Sequence, residues 1–523
     1  MKYTNPIVRG FYPDPSICYA EGFYYLVCST FQFFPGLPVF RSSNLIDWEV
    51  VSYCMTRKSQ LDLTKEGASG GLYAPTIRYH EGRFYVVCTH VGGYGNFMVY
   101  TDNIEGQWSE PILLDRPGID PSILFDGDKT YFVSNGDDGT GREGVLVCEM
   151  DINTGKLLTD SKLISQGTGG RYLEGPHLYK IGQYYYLLAA EGGTEYGHME
   201  CLHRSKDIYG PYEMCPWNPI LTNRNLGGYF IQASGHADII EDEQGQWWMV
   251  HLAFRQMDRW RPFHQMGRET FMVPISWTED GWFKVGTDGT CRASYEVVDG
   301  QISASLEAEY PKERWSLRPS DAIFIRCPDF SNYQMTLSEK DLKFAHLGPC
   351  KKEGLERGQF KLRGVSDTID SLGNVTFVGM RQREFETTFA LSVKCDTMLN
   401  GQKAGLVAYM TEADYFDLQV EKLSETLVKV NSKMVVAGLV APLGEWEVTL
   451  PAGQTKLPLK IESKHQSYHS YVKQDRTWHP LGQIDAKLLS SEVVEGFTGT
   501  ILGVYVEANE QGESGFVTFQ EIE

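Results

Sequence analysis

Asp-Pro-Ser occurs twice in the first quarter of the chain, in FYPDPSICY (11–19) and in GIDPSILFD (118–126). Two later segments set a Glu and a His at the matching point, EGPHLYK from Glu174 and HADII from His236. A single Asp-Pro is ordinary turn chemistry, because Asp bonds its own backbone and Pro fixes φ. Three acids at one register of a repeat are different: carboxylates brought together repel, and such an arrangement persists where chemistry uses it. Two carboxylates flanking a bond hydrolyse a glycoside, one giving a proton and the other activating water. A third keeps the acid protonated by repulsion and orients it. Asp, Asp, Glu and His also suit a Ca²⁺ or Mn²⁺ ion, although no EF-hand loop, HExxH or P-loop accompanies them.

The elements that must position these residues repeat. DPSICYAEGFYYLVCST from Asp14, APTIRYHEGRFYVVCTH from Ala74, DPSILFDGDKTYFVSNG from Asp120, EGPHLYKIGQYYYLLAA from Glu174 and HADIIEDEQGQWWMVHL from His236 share one pattern. Each has a short strand, a turn rich in Gly and acid, and a second strand dense in Tyr, Val and Trp, which is a hairpin signature. RSSNLIDWEVV (41–51), YTDNIEGQWSEPILL (100–114) and RSKDIYGPYEM (204–214) then add a strand end, a turn and an aromatic restart. Units of four strands repeated five times predict a five-bladed β-propeller, whose innermost strands open onto one axis. The opening residues are Asp14, Ala74, Asp120, Gly175 with Glu174 one position earlier, and His236.

The repeat ends with GRETFMVPISWTEDGWFKV (267–285). Beyond it, FETTFALSV (385–393), GLVAYMTEADYFDLQV (405–420), LVKVNSKMVVAGL (427–439) and ILGVYVEAN (501–509) alternate with period two and predict an antiparallel β-sandwich. The expected division is a propeller over 1–290, a linker over 291–320 and a sandwich over 321–523. Glu241-Asp242-Glu243 reads as a solvated charge run on a hairpin tip, Trp247-Trp248 as packing between blades, and His80 and His90 as strand-flanking residues without a role.

A net charge of −20 gives phosphate backbones and anionic membranes nothing to bind, so neither is an expected partner. The 13% of aromatic residues suits strand cores and sugar-stacking walls alike. Eleven cysteines, an odd number without C-x-x-C spacing, suit a reducing compartment. With no leader-like apolar run behind Met1 and no stretch of about 18 apolar residues, the expected location is cytoplasmic.

FYPDPS, APTIRYH, GIDPS, YLEGPHLYK, AAEGGT and SGHADII, in this order, resemble glycoside hydrolase family 43, in particular its two-domain β-xylosidase branch. The resemblance implies an exo-acting, inverting hydrolase that releases xylose from the non-reducing end of β-1,4-xylo-oligosaccharides, with α-L-arabinofuranosidase or dual activity as the alternative; a non-catalytic carbohydrate-binding propeller is the other reading of the residues, against which the three acids argue. It implies Asp14 as general base, Glu174 as general acid and Asp120 as the residue that tunes and orients Glu174. Inversion would set Asp14 and Glu174 roughly 6.5–9.5 Å apart. It further implies Arg268 as a ligand for the terminal sugar's hydroxyls and Phe31 and Tyr73 as subsite walls, Tyr73 standing where the branch usually carries Trp. His236 matches an axial histidine that in some relatives meets water or Ca²⁺, and Phe516 a sandwich aromatic reaching over the pocket. No cofactor is required on this reading; a structural or activating Ca²⁺ near His236 and a homo-oligomer stay open.

Overall fold

The computed structural model describes residues 1–326, 328–335, 355–356, 358–450 and 455–522. The hairpins of the repeat form as the turn chemistry dictates. Glu21-Gly22 and Glu81-Gly82 both place two successive residues at positive φ, the type I′ geometry that matches the twist of the flanking strands. Each hairpin gains outer strands to make a blade. Blade 1 comprises Ser16–Ala20, Phe23–Val27, Gly36–Ser42 and Glu49–Met55. Blade 2 comprises Thr76–His80, Arg83–Val91, Gly95–Thr101 and Ile112–Leu113, with Gly71–Leu72 added beside Arg83–Val91. Blade 3 runs Ile119–Asp126, Lys129–Asp137, Glu143–Met150 and Lys162–Ser165. Blade 4 runs Glu174–Ile181, Tyr184–Glu191, Met199–Ser205 and Glu213–Met214. Blade 5 runs Ile231–Glu241, Trp247–Arg255, Glu269–Trp277 and Phe283–Val285.

The five innermost strands touch one another in sequence, and the last returns to the first, so the ring is closed. Buried polar bonds stitch its axis. Asp238 of blade 5 accepts from Ser16 Oγ (2.6 Å) of blade 1, Arg78 Nη1 (2.7 Å) of blade 2 and Tyr179 Oη (2.5 Å) of blade 4. Burial alone would raise the Asp238 carboxyl; Arg78 beside it, with His177 and Ser16, outweighs that and holds it well below the usual range.

The stretch read as a linker carries structure of its own. Ser294–Val298 and Gln301–Ser305 form a hairpin around Asp299-Gly300, both at positive φ, and Lys2–Thr4 pairs onto it. The charge run on the blade 5 hairpin also differs from expectation. Asp242 is buried and accepts from Gln244 N, Gln246 N and Trp248 Nε1, so it shapes the turn instead of facing water.

The C-terminal domain is a sandwich of two sheets. The first is ordered Tyr333–Met335, Gln359–Arg363, Phe516–Glu521, Thr387–Lys394, Lys456–Lys464, Ser467–Gln474 and Thr477–Asp485. The second is ordered Thr376–Arg381, Ile501–Glu507, Lys403–Thr411, Asp414–Lys422, Leu427–Val436 and Leu439–Thr449. Phe389, Leu391, Leu418, Val430, Leu459 and Val504 fill the space between them.

Three devices lock the sandwich onto the propeller. Phe324–Ile325 pairs with Phe33–Phe34 of the propeller. Fully buried Arg255 of blade 5 bonds Glu269 (2.7 Å) and, across the junction, Glu384 (3.0 Å), with the Tyr310 ring 4.6 Å from its guanidinium. Removing one partner of such a cluster leaves a buried charge unpaired, at a cost of about 3–5 kcal/mol. Gly499 lets the backbones touch: a Cβ there would lie 2.2 Å from the Met266 carbonyl oxygen. A groove of about 1230 Å³ also opens along the junction, lined by Arg9, Trp48, Arg314 and Arg383 among others, but none of the three candidate carboxylates lines it.

Candidate active site

The register inferred from the repeat reappears in the backbone. Asp14, Asp120 and His236 sit at φ 55°, 54° and 52°, and Gly175 at 57°. Left-handed backbone is uncommon outside Gly, and its occurrence at the same point of four blades marks one built feature. Pro follows Asp14, Asp120 and Gly175. At Gly175 a side chain would meet the His236 ring at 3.0 Å, which is why the acid of blade 4 stands one residue earlier, at Glu174.

Asp14 is buried, with a partner on each oxygen. Ser29 Oγ donates to Oδ2 (2.5 Å) and Arg268 Nη1 to Oδ1 (2.9 Å), while His236 Nδ1 lies 3.8 Å from Oδ1. Burial pushes its carboxyl upward, but Arg268, His236, the Ser29 hydroxyl and His198 together overcome that and leave it below the ordinary value. Asp14 is therefore held ionised. Asp120 accepts from Gly175 N (3.0 Å), which ties it to the residue after Glu174. Burial dominates here, Glu174 and Asp14 add repulsion, and His236 and the Gly175 N–H oppose, so its carboxyl is pushed up to about 7. Glu174 keeps 19% of its side chain exposed, and its Oε1 faces His198 Nε2 at 3.5 Å.

Arg268 holds the wall together. Besides Asp14 it donates to Thr194 Oγ1 (2.9 Å) and to the Phe497 carbonyl (3.3 Å), and its Nε is buried without a partner. Its guanidinium lies 5.7 Å from the Phe31 ring and 5.6 Å from the Phe497 ring. Phe31 packs on Tyr73 (5.0 Å) and on Phe497 (5.9 Å, stacked), and Tyr73 Oη donates to Ser69 O (3.0 Å).

Asp14, His236, Arg268, Phe31 and Tyr73 are thus linked through direct contacts; Asp120 joins through the Gly175 N–H and the charges of Glu174, Asp14 and His236, and Glu174 faces His198. Phe516 does not join them. It opens a sandwich strand paired with Gln359–Arg363 and lies under Arg363, 5.2 Å from ring to guanidinium. The sandwich aromatic in the cluster is Phe497, on the loop after the one-turn helix Ser491–Val494 and pinned by Phe497 N donating to Ser69 Oγ (2.9 Å). The correction has a physical reason. Strand alternation commits the end of the chain to the sandwich sheet, whereas the loop at 495–500 crosses onto the propeller, where Thr500 N bonds Gln265 O (2.8 Å). Ser29, Thr194 and His198 also escaped the sequence reading. Ser29 ends the second strand pattern of blade 1, and the other two lie in or just beyond AAEGGT, a motif whose contacts no periodicity announces.

A Ca²⁺ ion takes six to eight oxygen donors. Among the described residues no group of three or more His, Cys, Asp or Glu side chains is set to hold a metal, and the imidazole of His236 is a poor donor for a hard cation.

An ionised buried base, a second acid facing a histidine and a third carboxyl that exchanges its proton near neutrality are the parts of a glycoside hydrolase. Comparison with known proteins agrees. The model of glycosyl hydrolases family 43 matches residues 3–283, and that of the β-xylosidase C-terminal concanavalin A-like domain matches residues 341–523. The chain belongs to glycoside hydrolase family 43. It is 35% identical to a non-reducing end α-L-arabinofuranosidase of Bacteroides ovatus, over 99% of this chain and 93% of that protein. It is 31% identical to a β-xylosidase of Bacillus subtilis, over 96% of each. Among solved structures, a xylan β-1,4-xylosidase from Bacillus halodurans superposes with a TM-score of 0.84 at 31% identity over 99% of both chains.

Proposed function

We propose that the chain is an exo-acting, inverting hydrolase that removes xylose from the non-reducing end of short β-1,4-xylo-oligosaccharides. The observation that carries the mechanism is the division of labour among the three carboxyls. Asp14, kept ionised by Arg268 and Ser29, takes a proton from water as the water oxygen attacks the anomeric carbon. Glu174 gives its proton to the glycosidic oxygen as the bond to the leaving sugar breaks, and the electron pair stays on that oxygen. Asp120, fixed by the Gly175 N–H, holds the Glu174 strand in place and adds negative charge beside it when it ionises.

The exposed ring of Phe497 and the half-buried ring of Tyr73 offer apolar faces to the sugar, while Phe31, expected as a wall, is buried behind them and Arg268 lies beneath with its Nε still unpaired. Phe497, supplied by the second domain, closes one side of the mouth, which supports attack at chain ends. The nine cysteines among the described residues are free and buried, which supports a reducing, cytoplasmic setting with small imported substrates. EDTA is expected to leave the rate unchanged.

A second reading, α-L-arabinofuranosidase or dual activity, is favoured by the Bacteroides ovatus relative. Initial rates on aryl β-xyloside and aryl α-L-arabinofuranoside decide between them: faster release from the first supports xylosidase, and release from neither removes both.

A further inference from the structure

His198 is fully buried in blade 4, and the structure has made room for it at some cost. Its Nδ1 lies 3.1 Å from the carbonyl oxygen of Ala233. A carbonyl only accepts, so Nδ1 carries a hydrogen and the tautomer is fixed. Ala233 reaches that position in left-handed backbone, φ 59°, unusual for a residue with a Cβ. The inner strand of blade 5 shifts register on both sides of Gly235, and a Cβ at Gly235 would meet the His198 ring at 2.8 Å. A strained residue, a bulge and an obligatory glycine all serve to seat one imidazole.

What the seat presents is Nε2, 3.5 Å from Glu174 Oε1. Both atoms are buried, and neither has a hydrogen-bond partner. Two lone pairs facing each other there would repel, so the pair is satisfied only with one proton between them. Oε1 is thereby turned inward, and Oε2 is the oxygen left to the pocket.

We propose that His198 is a positioning residue for Glu174: a hydrogen on Nε2, bonded to Oε1, fixes the rotation of the carboxyl so that Oε2 carries the proton that the glycosidic oxygen receives. The proposal rests on Glu174 being the general acid. A group that acts through the acid matters in proportion to how much protonation the leaving group needs. The test therefore compares a phenyl glycoside with the 2,4-dinitrophenyl glycoside of the sugar the wild type prefers.

His198→Phe is expected to lower kcat/KM on the phenyl glycoside about 100-fold and to lower it far less on the dinitrophenyl glycoside. His198→Gln, whose amide nitrogen reaches the place of Nε2, is expected to restore most of the loss. Gly235→Ala, which displaces the ring without altering it, is expected to show the same split between substrates. An equal fall on both substrates, or no fall, in the His198 variants overturns the proposal. Glu174→Gln separates the two layers. If it shows the split while the His198 variants do not, the His198 role alone is wrong; if it loses both substrates equally, the acid assignment fails and His198's role with it.

Discussion

Two aspartates in different domains are buried and pushed up to about 7: Asp120 at the propeller mouth and Asp417 in the sandwich. Burial is the largest cause for both. Their surroundings differ. Asp120 faces Glu174, Asp14 and His236, which arrive from three other blades, beside an arginine and an aromatic wall. Asp417 lies on the second sandwich sheet. Tyr505 Oη donates to its Oδ1 (2.8 Å), Gln419 bonds that hydroxyl in turn (2.8 Å), and Lys433 stands 3.7 Å from its Oδ2. The first cluster gathers acids around a space, and the second seals one acid among its own sheet neighbours. A raised carboxyl therefore does not mark a site by itself; convergence of several titratable groups on one opening does.

The comparison breaks most sharply at the two carboxyls proposed as acid and base. Glu174→Gln and Asp14→Asn should each lower kcat on a phenyl glycoside by about 10³-fold, with near-normal melting, whereas Asp417→Asn should leave kcat within about twofold of wild type. An Asp417→Asn enzyme as impaired as the other two would show that burial alone had identified the site.

Asp120→Asn comes next, with a fall of about 100-fold. The pH profile of kcat/KM sharpens it. Ionisation of Asp120 as pH rises through about 7 adds charge beside Glu174, so the wild type should show an inflection there that the variant lacks. An inflection that persists in Asp120→Asn belongs to another group.

Phe497→Ala removes a ring stacked on Phe31 and edge-on to Tyr73, and should lower kcat/KM about three- to tenfold. Phe516→Ala should do nothing of the kind; if the two trade places, the loop assignment is wrong.

The smallest effect on activity, and the largest on pH-dependent stability, belongs to Asp417. Its carboxyl is raised from an ordinary value of 3.8 to about 7, so the native state holds a proton that the unfolded chain has lost. Its stabilising contribution is complete below about pH 4 and is lost as pH rises through about 7. Asp417→Asn should flatten that decline and raise Tm at pH 8 by about 2–4 °C, read by thermal melts at pH 5 and pH 8. Equal shifts at both pH values would contradict it.

The propeller was legible because its turns are chemical: Asp-Pro and Glu-Gly recur at fixed points, and Asp14 and Asp120 fall out of that register directly. Glu174 sits one residue off because Gly175 holds the matching register and a side chain there would meet the His236 ring at 3.0 Å; the Gly before Pro at that point shows the offset in the sequence, but not its cause. Phe497 was invisible for a related reason. It lies on an aperiodic loop whose place is set by contacts with Ser69 and Gln265 far away in sequence, while Phe516 sits in a regular strand that attracts notice. Asp242 shows the converse error, since three adjacent acids look solvated until one is found bonding its own turn and a buried Trp. The hairpin at 294–305 was missed although its Asp-Gly turn was readable, because its partner strand lies at the opposite end of the chain.

The central claim is that Asp14 activates water and does not itself attack the sugar. Proton NMR of the first products released from xylobiose, recorded before mutarotation, tests it. With Asp14 as the base, α-xylose leaves the cleaved end at the earliest times, and the β-anomer grows in later. β-Xylose as the first product would mean that configuration is retained, and would contradict the role given to Asp14.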